Sequence, residues 1–436
     1  MDWWWILLII FFALVFLMAV GVPVAFAFMT INIVGVYIFW NGAAGLTQLI
    51  LSIYESVTSF ALLPVPLFVL MGEIMFRSGI ASRQMEVLDS WLGRVPGRLS
   101  LLTVGGGAMF ATLTGSAMAG TAMLGSTLVP EMEKKGYSKA MSLGPILGSG
   151  GLAIMIPPSA LGVLLAALGE FSVGRFLVAI LIPGCIMAVL YAAYIVIRCQ
   201  IQPHLAPKYT PPPVVFFRRL GLTFIYVLPM AVIVFLVVGL IFLGIATPTE
   251  SAAAGTLACF ILAGAYHRLR WTVVRKAIEG TLRVTVMMFM ILAGSTAFSQ
   301  ILAYTGASTG LVEMAANLPV QPILVIIVMQ IILFMLGTFM EPLSIMMLTI
   351  PIYFPIIQAL GYSPLWFGTI MLLNMEMATT SPPFGLVLFV MKSVAPKETT
   401  MADIYKAALP FLACDALAMA AIMFFPALVL WLPGLM

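Results

Sequence analysis

Residues that could bind a cation or an organic acid are concentrated at four interruptions of otherwise apolar sequence. Two of the interruptions are short polar runs, Thr112–Ser116 and Gly337–Pro342, and two longer ones, Gly148–Ser159 and Ala378–Gly385, each contain a Pro-Pro pair. Proline removes a backbone donor and clashes with the preceding turn, so each pair is expected to break its helix. The freed carbonyl groups, together with Thr and Ser hydroxyls, form an all-oxygen environment that suits a hard cation such as Na⁺.

The same four breaks have the features expected of an anion site. They contain no Lys or Arg, so an anion that enters has no fixed counter-charge. Half-helix N-termini supply positive dipole ends, and a bound cation would supply the rest. Substrate binding would then depend on cation binding, as symport requires. Acidic residues in apolar runs could add cation or proton sites, or could pair with helix ends and neighbouring helices; these are Glu73, Glu250, Glu341, Glu376 and Asp415.

Membrane-spanning helices must hold these breaks in place. Of the 436 residues, 63% are hydrophobic and 8% are charged, against about 25% charged in a soluble domain. The four cysteines and two histidines form no CxxC motif and no Cys/His cluster, and no GxxxxGK[ST] phosphate loop occurs. The sequence therefore favours a membrane protein that is not an enzyme and does not use ATP.

We predict an all-α integral membrane fold of about ten spanning helices plus two re-entrant hairpins. A crossing needs about 20 apolar residues, and such runs lie near 3–20, 22–40, 45–76, 140–170, 176–199, 219–243, 249–266, 282–303, 364–395 and 408–432. The stretches 99–130 and 322–360 are interrupted halfway and are predicted to be hairpins. With this count every Lys and Arg except Arg175 falls on the cytoplasmic side, as the positive-inside rule requires. Both termini then face the periplasm.

The chain also repeats itself at an offset of 225 positions. Gly136-Tyr137-Ser138 recurs as Gly361-Tyr362-Ser363, and Pro157-Pro158 recurs as Pro382-Pro383. Only the first Gly-Tyr-Ser loop has basic neighbours, so the two loops are predicted to lie on opposite sides of the membrane. We therefore predict two inverted-topology repeats, 1–218 and 219–436, an arrangement typical of secondary transporters with alternating access.

Several of these motifs resemble one known family. They are the run Gly244-Ile245-Ala246-Thr247-Pro248-Thr249-Glu250-Ser251, with Thr114-Gly115-Ser116, Ile156-Pro157-Pro158-Ser159, Trp366-Phe367-Gly368 and Ser381-Pro382-Pro383-Phe384-Gly385-Leu386. Together they resemble the large membrane (M) subunit of tripartite ATP-independent periplasmic (TRAP) transporters, which belong to the ion transporter superfamily. The resemblance implies a separate small membrane subunit of four helices and a soluble periplasmic substrate-binding protein. It also implies Na⁺ coupling, a location in the bacterial inner membrane, and an elevator motion of a transport domain against a scaffold domain.

The resemblance also implies two Na⁺ sites, each formed by a hairpin tip and the facing broken helix. The first set of positions is Thr112, Thr114, Ser116, Gly150, Ala153, Ile156 and Pro158; the second is Gly337, Thr338, Ala378, Ser381 and Phe384. Ala153 and Ala378 stand where the family often has Gly, and Ser381 stands where Thr is common, but ligation by backbone carbonyls survives such changes. Substrate contacts are expected from Gly115, Ser149, Ser159, Met340, Glu341, Thr379 and Thr380.

The function expected from the residues and the resemblance together is Na⁺-coupled uptake of a small organic acid anion, a carboxylate or a sulfonate. Na⁺ is the only cofactor expected, with no organic cofactor and no nucleic acid partner. The alternative is a dicarboxylate- or citrate-type anion symporter of similar inverted-repeat fold that works without a binding protein. A purely structural membrane subunit is a third class, against which the paired breaks argue.

Overall fold

The regular elements of the chain are helices. The structure, a computed structural model, describes residues 2–40, 42–93, 95–114, 117–207 and 216–436, without the side chains of residues 81, 82 and 110–114. The helices up to residue 201 are α1 Trp3–Ala19, α2 Val24–Phe39, α3 Ala43–Val57, α4 Pro64–Arg77, α5 Ile80–Trp91, α6 Arg98–Thr114, α7 Ala117–Lys134, α8 Lys139–Met155, α9 Ala160–Leu168, α10 Val173–Ala179 and α11 Leu181–Ile201. The later helices are α12 Phe216–Leu222, α13 Leu228–Phe242, α14 Pro248–Ala265, α15 Trp271–Tyr304, α16 Ala307–Ala316, α17 Pro322–Gly337, α18 Pro342–Ala359, α19 Pro364–Thr379, α20 Leu386–Val394, α21 Met401–Phe424 and α22 Ala427–Leu430.

By length and composition, several of these helices are able to cross a bilayer. Among the described residues, 6 helical stretches qualify, or 7 if the bent pair of α8 and α9 counts as one span. The 6 are Phe60–Arg77, Val173–Ile201, Phe216–Phe242, Trp271–Tyr304, Pro342–Ala359 and Met401–Phe424. The chain is therefore an all-α, multi-pass membrane protein. Three further apolar helices, α1, α2 and α17, are shorter, with 17, 16 and 16 residues.

The predicted crossing 45–76 is wrong as a single helix. The structure divides it into α3 and α4, with the segment Thr58–Leu63 between them. Pro64 is the first residue of α4, a position where the missing N–H costs nothing and the fixed φ favours helix initiation. Hydropathy alone does not show this boundary because both helices are apolar.

Corresponding helices begin and end at the repeat spacing that the sequence motifs show. α7 begins at Ala117 and α18 at Pro342, 225 positions apart, and their last residues, Lys134 and Ala359, are separated by the same 225. Each member of the pair follows a shorter apolar helix, α6 or α17, and precedes a broken one. The two halves of the chain therefore contain corresponding helices in the same order along the sequence.

The glycine-rich run Gly148–Gly151 is helical, so the first part of the predicted interruption Gly148–Ser159 is wrong. α8 continues through it to Met155, and residues 141–155 are all buried. The glycines allow close helix packing: a Cβ at Gly148 would lie 2.5 Å from Cδ1 of Phe411 on α21. Close packing of this kind offsets the low intrinsic helix propensity of glycine.

The 34-residue helix α15 packs along α2, α3 and α4 and also contacts α18. The Asn32 side chain of α2 donates a hydrogen bond to the Gly294 carbonyl at 2.6 Å, which fixes α15 against the N-terminal helices. The N-terminal part of α15 carries the exposed basic residues Arg275, Lys276 and Arg283, whereas its last turns carry none. α15 therefore has one charged end and one uncharged end.

Candidate functional site

Both helix breaks are present, and each contains its Pro-Pro pair. α8 ends at Met155 and α9 begins at Ala160, and the two helices are bent by 45°. In the second half, α19 ends at Thr379 and α20 begins at Leu386. Both Pro-Pro peptide bonds are cis. The backbone of residues 156–159 and 380–385 lies outside the helices. Part of it is hydrogen-bonded locally: the Gly385 N–H donates to the Ser381 carbonyl, and the Tyr405 hydroxyl donates to the Pro383 carbonyl.

A cavity of about 300 Å³ lies where the hairpins and the broken helices meet. We call it the tip cavity. Its hairpin walls are Ala117–Ala119 at the start of α7 and Glu341–Leu343 at the start of α18, and Ala160 and Thr379 line it from the broken helices. The opposite wall is formed by α4 and α15, with Val69, Gly72, Glu73, Phe76, Val284, Met287 and Met288.

The polar groups of the tip cavity are mainly acceptors. Glu341 occupies the N-cap position of α18, and Glu73 pairs with Arg77 at 2.5 Å. Gly280 admits Glu73, because a Cβ there would lie 2.6 Å from the carboxyl carbon. The Thr379 hydroxyl donates to the Glu376 carbonyl at 2.9 Å. No Lys or Arg lies among the described lining residues, and the nearest basic group shown is that of Arg77, which pairs with the lining residue Glu73.

Two members of the second predicted Na⁺ set, Gly337 and Ala378, are in direct contact where the end of α17 meets the broken helix α19. Gly337 ends α17 directly against Ala378 in the last turn of α19, and a Cβ at Gly337 would lie 2.3 Å from the Ala378 Cβ. The buried hydroxyls of Thr338 and Ser381 donate to the carbonyls of Met335 and Pro382, at 2.8 and 3.2 Å. Each hydroxyl oxygen retains lone pairs that can accept a cation.

Phe384, the remaining member of the second set, covers this contact from outside. Its ring packs against Phe339 of the hairpin tip, with the ring centroids 5.1 Å apart. Phe384 is 48% exposed, so its side chain faces away from the buried hydroxyls. Only its backbone is available as a ligand.

The first predicted Na⁺ set is described only in part. Thr112, Thr114, Ser116 and the predicted substrate contact Gly115 fall outside the described side chains or residues. On the facing helix, Ala153 and Pro158 are buried, and the Ile156 side chain points away, into an apolar cavity lined by α13. The sequence interpretation missed Thr121: a Cβ at Gly150 would lie 2.8 Å from its Oγ1, a buried atom with no hydrogen-bond partner among the described residues.

Four of the predicted substrate residues do not line the tip cavity. Ser149 donates to the Ile146 carbonyl and packs against Gly107, and Ser159 caps α9 by accepting from the Gly162 N–H. The Thr380 hydroxyl donates to the Glu376 carbonyl at 3.2 Å. Met340 adjoins Glu341 but is not on the cavity wall. Of the predicted set, Glu341 and Thr379 are on the wall.

Two of the acidic residues in apolar runs have clear packing roles. Glu250 completes a capping box at the N-terminus of α14, where its carboxylate accepts from the Thr247 N–H at 2.8 Å. Asp415 of α21 accepts a hydrogen bond from the Tyr191 hydroxyl of α11. These contacts fit the alternative in which such carboxyls pair with helix ends or neighbouring helices.

Glu376 is different, because its carboxyl lies against glycine. It is 1% exposed, and a Cβ at Gly151 would lie 2.4 Å from its Oε1. Its Oε2 has no hydrogen-bond partner among the described residues. In the sequence, Gly151 is one residue of a glycine run and Glu376 is an acidic residue of another helix. Nothing in the sequence indicates that the two are in contact.

Comparison with known proteins identifies a family for nearly the whole chain. The family described as "Tripartite ATP-independent periplasmic transporter, DctM component" matches residues 10–428. The C4-dicarboxylate TRAP transporter large permease protein DctM of Pseudomonas aeruginosa is 30% identical over 390 residues, which cover 89% of each chain. The ectoine TRAP transporter large permease protein TeaC of Halomonas elongata is 27% identical and covers 96% of this chain and 97% of its own.

The fold is also similar to that of a solved transporter. The crystal structure of the Alcanivorax borkumensis YdaH transporter superposes with a TM-score of 0.63 at 15% identity and covers 88% of this chain and 89% of its own. The family match covers residues 10–428, which include both helix breaks and the Gly337–Ala378 contact. The chain therefore belongs to the DctM component family of the tripartite ATP-independent periplasmic transporters.

Proposed function

We propose that this chain carries a small organic acid anion, a carboxylate or a sulfonate, into the cell together with Na⁺. The tip cavity is the observation that supports it most directly: it combines carboxylates and a hydroxyl with apolar walls and has no Lys or Arg among its described lining. An anion bound there is stabilised only when cations are bound nearby, as at the Gly337–Ala378 contact. Because cation and anion stabilise each other, they cross together.

The proposed partners are a small four-helix membrane subunit and a periplasmic binding protein that delivers the substrate. Support comes from the family description, which is tripartite and periplasmic, and from relatives that are named large permeases. The proposed location is the bacterial inner membrane, with both termini in the periplasm, as the distribution of Lys and Arg favours.

The proposed mechanism is an elevator motion of two inverted repeats. The equal spacing of the α7 and α18 bounds supports the division into 1–218 and 219–436. In this proposal α6–α7 and α17–α18 are re-entrant hairpins that move with the broken helices, although α18 by itself is long and apolar enough to cross a bilayer. The fixed scaffold consists of α15 with α2, α3 and α4. The tip cavity lies between these two groups of helices, where relative motion would expose it to one side at a time.

Reconstituted uptake tests the proposed function. Proteoliposomes that contain this chain and the small subunit are supplied with the binding protein and a labelled acid, with succinate and ectoine as first probes. Uptake is expected to need an inward Na⁺ gradient and the binding protein. Uptake that is independent of the binding protein would favour the alternative symporter, and absence of uptake of any acid that the binding protein binds would contradict the proposal.

Opposite labelling of two matched positions is expected if the repeats are inverted. Lys134 and Ala359 are the exposed last residues of α7 and α18. In a Cys185→Ser background, which removes the exposed native thiol, Lys134→Cys should react with an impermeant maleimide from the cytoplasmic side. Ala359→Cys should react from the periplasmic side. Labelling of both positions from the same side would refute the inverted repeat.

The buried Thr121 hydroxyl is expected to contribute to Na⁺ binding in the first half. Thr121→Val keeps the shape of the side chain but removes the oxygen beside Gly150, so the Na⁺ concentration for half-maximal uptake should rise. Thr121→Ser keeps the oxygen and should retain the native value. Equal Na⁺ dependence of the two variants would show that Thr121 only fills space.

A further inference from the structure

A second cavity, of about 550 Å³, lies between α3 and α15 on one side and α9 and α18 on the other. We call it the serine cavity because hydroxyl and amide side chains dominate its α3 and α15 wall: Ser52, Ser56, Ser59, Thr296, Ser299 and Gln300. Its volume falls within the range of small-molecule sites, which is about 300–1,000 Å³. A polar cavity of this size between membrane helices needs an occupant that can form hydrogen bonds.

The serine cavity has at least one buried polar group without a partner. Ser52 is 2% exposed, and its Oγ makes no hydrogen bond with any described residue. Oε1 of Gln300, on α15 of the same wall, is also buried and unpartnered among those residues. An unsatisfied hydroxyl or amide in an apolar environment costs about 1–3 kcal/mol. Water or a polar ligand in the cavity removes this cost.

The two cavities lie in line along one face of α15. Val284 and Met288 line the tip cavity, whereas Leu292, Thr296 and Ser299 line the serine cavity. These residues follow one another at intervals of three or four, the spacing of a single helix face. α9 and α18 follow the same course, since their N-terminal residues line the tip cavity and their C-terminal residues line the serine cavity.

Along α15 about one helical turn separates the two linings, whereas on α9 the gap runs from Leu161 to Ala167 and on α18 from Leu343 to Ile350. Met288 and Leu292 are 4% and 5% exposed, and they occupy the turn of α15 between the two spaces. Beside them the Ser295 hydroxyl donates to the Met347 carbonyl of α18 at 3.2 Å, which joins the two walls. A ligand in the serine cavity is therefore separated from the tip cavity by the Met288 and Leu292 side chains of α15 and by the hydrogen bond between α15 and α18.

The distribution of basic residues along α15 indicates on which side of the membrane the serine cavity lies. The basic residues Arg275, Lys276 and Arg283 precede the tip cavity, and no Lys or Arg follows on α15. By the positive-inside rule the basic end is cytoplasmic, so the serine cavity lies toward the periplasm. That is the side from which the proposed substrate arrives.

We propose that the serine cavity is a second binding site for the transported anion, which it occupies before it reaches the tip cavity. This inference rests on the proposed function. Hydroxyl and amide donors bind the carboxylate or sulfonate group, and the absence of Lys and Arg from the described lining keeps the binding weak enough for release. Glu55 and Glu170 also line the cavity and attract Na⁺, so that cation and anion enter together.

Thiol modification at Ser299 tests this site. In the Cys185→Ser background, Ser299→Cys is placed in the complete transporter with its binding protein in right-side-out membrane vesicles. The impermeant anionic reagent methanethiosulfonate ethylsulfonate is then added from outside. The modified variant is expected to lose uptake, and saturating substrate and Na⁺ should slow the modification. The same reagent added to inside-out vesicles should react much more slowly.

The matched control is Thr305→Cys, a hydroxyl position near the same end of α15 that does not line the cavity. Its modification should leave uptake unchanged. If Ser299→Cys assembles poorly, Ser56→Cys on α3, in the same wall of the cavity, provides the same test. Equal uptake by the modified cavity variant and the modified control, or labelling without substrate protection, would overturn the inference. Those results leave the proposed function intact as long as the unmodified variants transport; loss of transport in the unsubstituted protein would instead refute the proposed function.

Discussion

Gly337→Ala should abolish Na⁺-dependent uptake, although the substitution adds only a methyl group. The new Cβ would lie 2.3 Å from the Ala378 Cβ, far inside contact distance. The tip of α17 would have to move away from the last turn of α19, which separates the oxygens proposed to bind Na⁺. Overpacking of this kind costs about 1–3 kcal/mol. Uptake in proteoliposomes over a range of Na⁺ concentrations measures the effect, and size-exclusion chromatography checks assembly.

The double variant Gly337→Ala/Ala378→Gly provides the matched control. It moves the methyl group from one side of the contact to the other and restores the space between the helices. We expect it to recover a large part of the Na⁺-dependent uptake, and the coupling between the two substitutions measures their direct contact. If both variants are equally inactive while Ala378→Gly alone is active, the steric explanation is wrong.

Ser381→Leu should eliminate the Na⁺ stimulation of uptake with little effect on membrane assembly. Ser381 is 5% exposed in the second break, where its hydroxyl donates to the Pro382 carbonyl and keeps lone pairs for a cation. Leucine removes that oxygen and places a branched apolar group in the proposed cation environment. The measurements are the initial rate of uptake with and without Na⁺ and the amount of transporter in the membrane.

Ser381→Thr serves as the conservative control because it retains a hydroxyl at the same carbon. It should keep the Na⁺ dependence of the native protein, with at most a moderate change in the half-maximal Na⁺ concentration. Unchanged Na⁺ stimulation in Ser381→Leu would exclude Ser381 from the cation site. Low amounts of Ser381→Leu in the membrane would instead point to a role in folding.

Local sequence signals predicted the Pro-Pro breaks because their cause is local. Proline acts on the backbone within a few residues, so the interruption between α17 and α18 at Gly337–Pro342 and the breaks at the two Pro-Pro pairs could be placed from the residues alone. The end of α8 could not: the predicted interruption began at Gly148, but α8 continues to Met155. The Pro64 boundary within 45–76 was equally local but was hidden by continuous hydropathy. A search for proline at helix starts would have found it.

Features that depend on pairs of distant residues could not be predicted. The helicity of Gly148–Gly151 depends on Phe411, which lies far along the chain, and the glycine run by itself favours a break. The Gly151–Glu376 contact and the approach of Thr121 to Gly150 are equally non-local. For the site, the chemistry of the breaks was predictable, but the residues that face the tip cavity depended on helix rotation.

One end of α15 is charged and the other is not, and this difference affects the position of the helix in the bilayer. Its 34 residues rise by about 51 Å, but the hydrocarbon core is only about 30 Å thick. Arg275, Lys276 and Arg283 are exposed at the basic end of the helix, and we expect the surplus length to lie there, among the lipid headgroups. Each such residue gains about 1 kcal/mol near anionic phospholipid. We therefore expect phospholipid headgroup charge to set the depth of α15 in the bilayer, and with it the reference plane against which the proposed elevator moves.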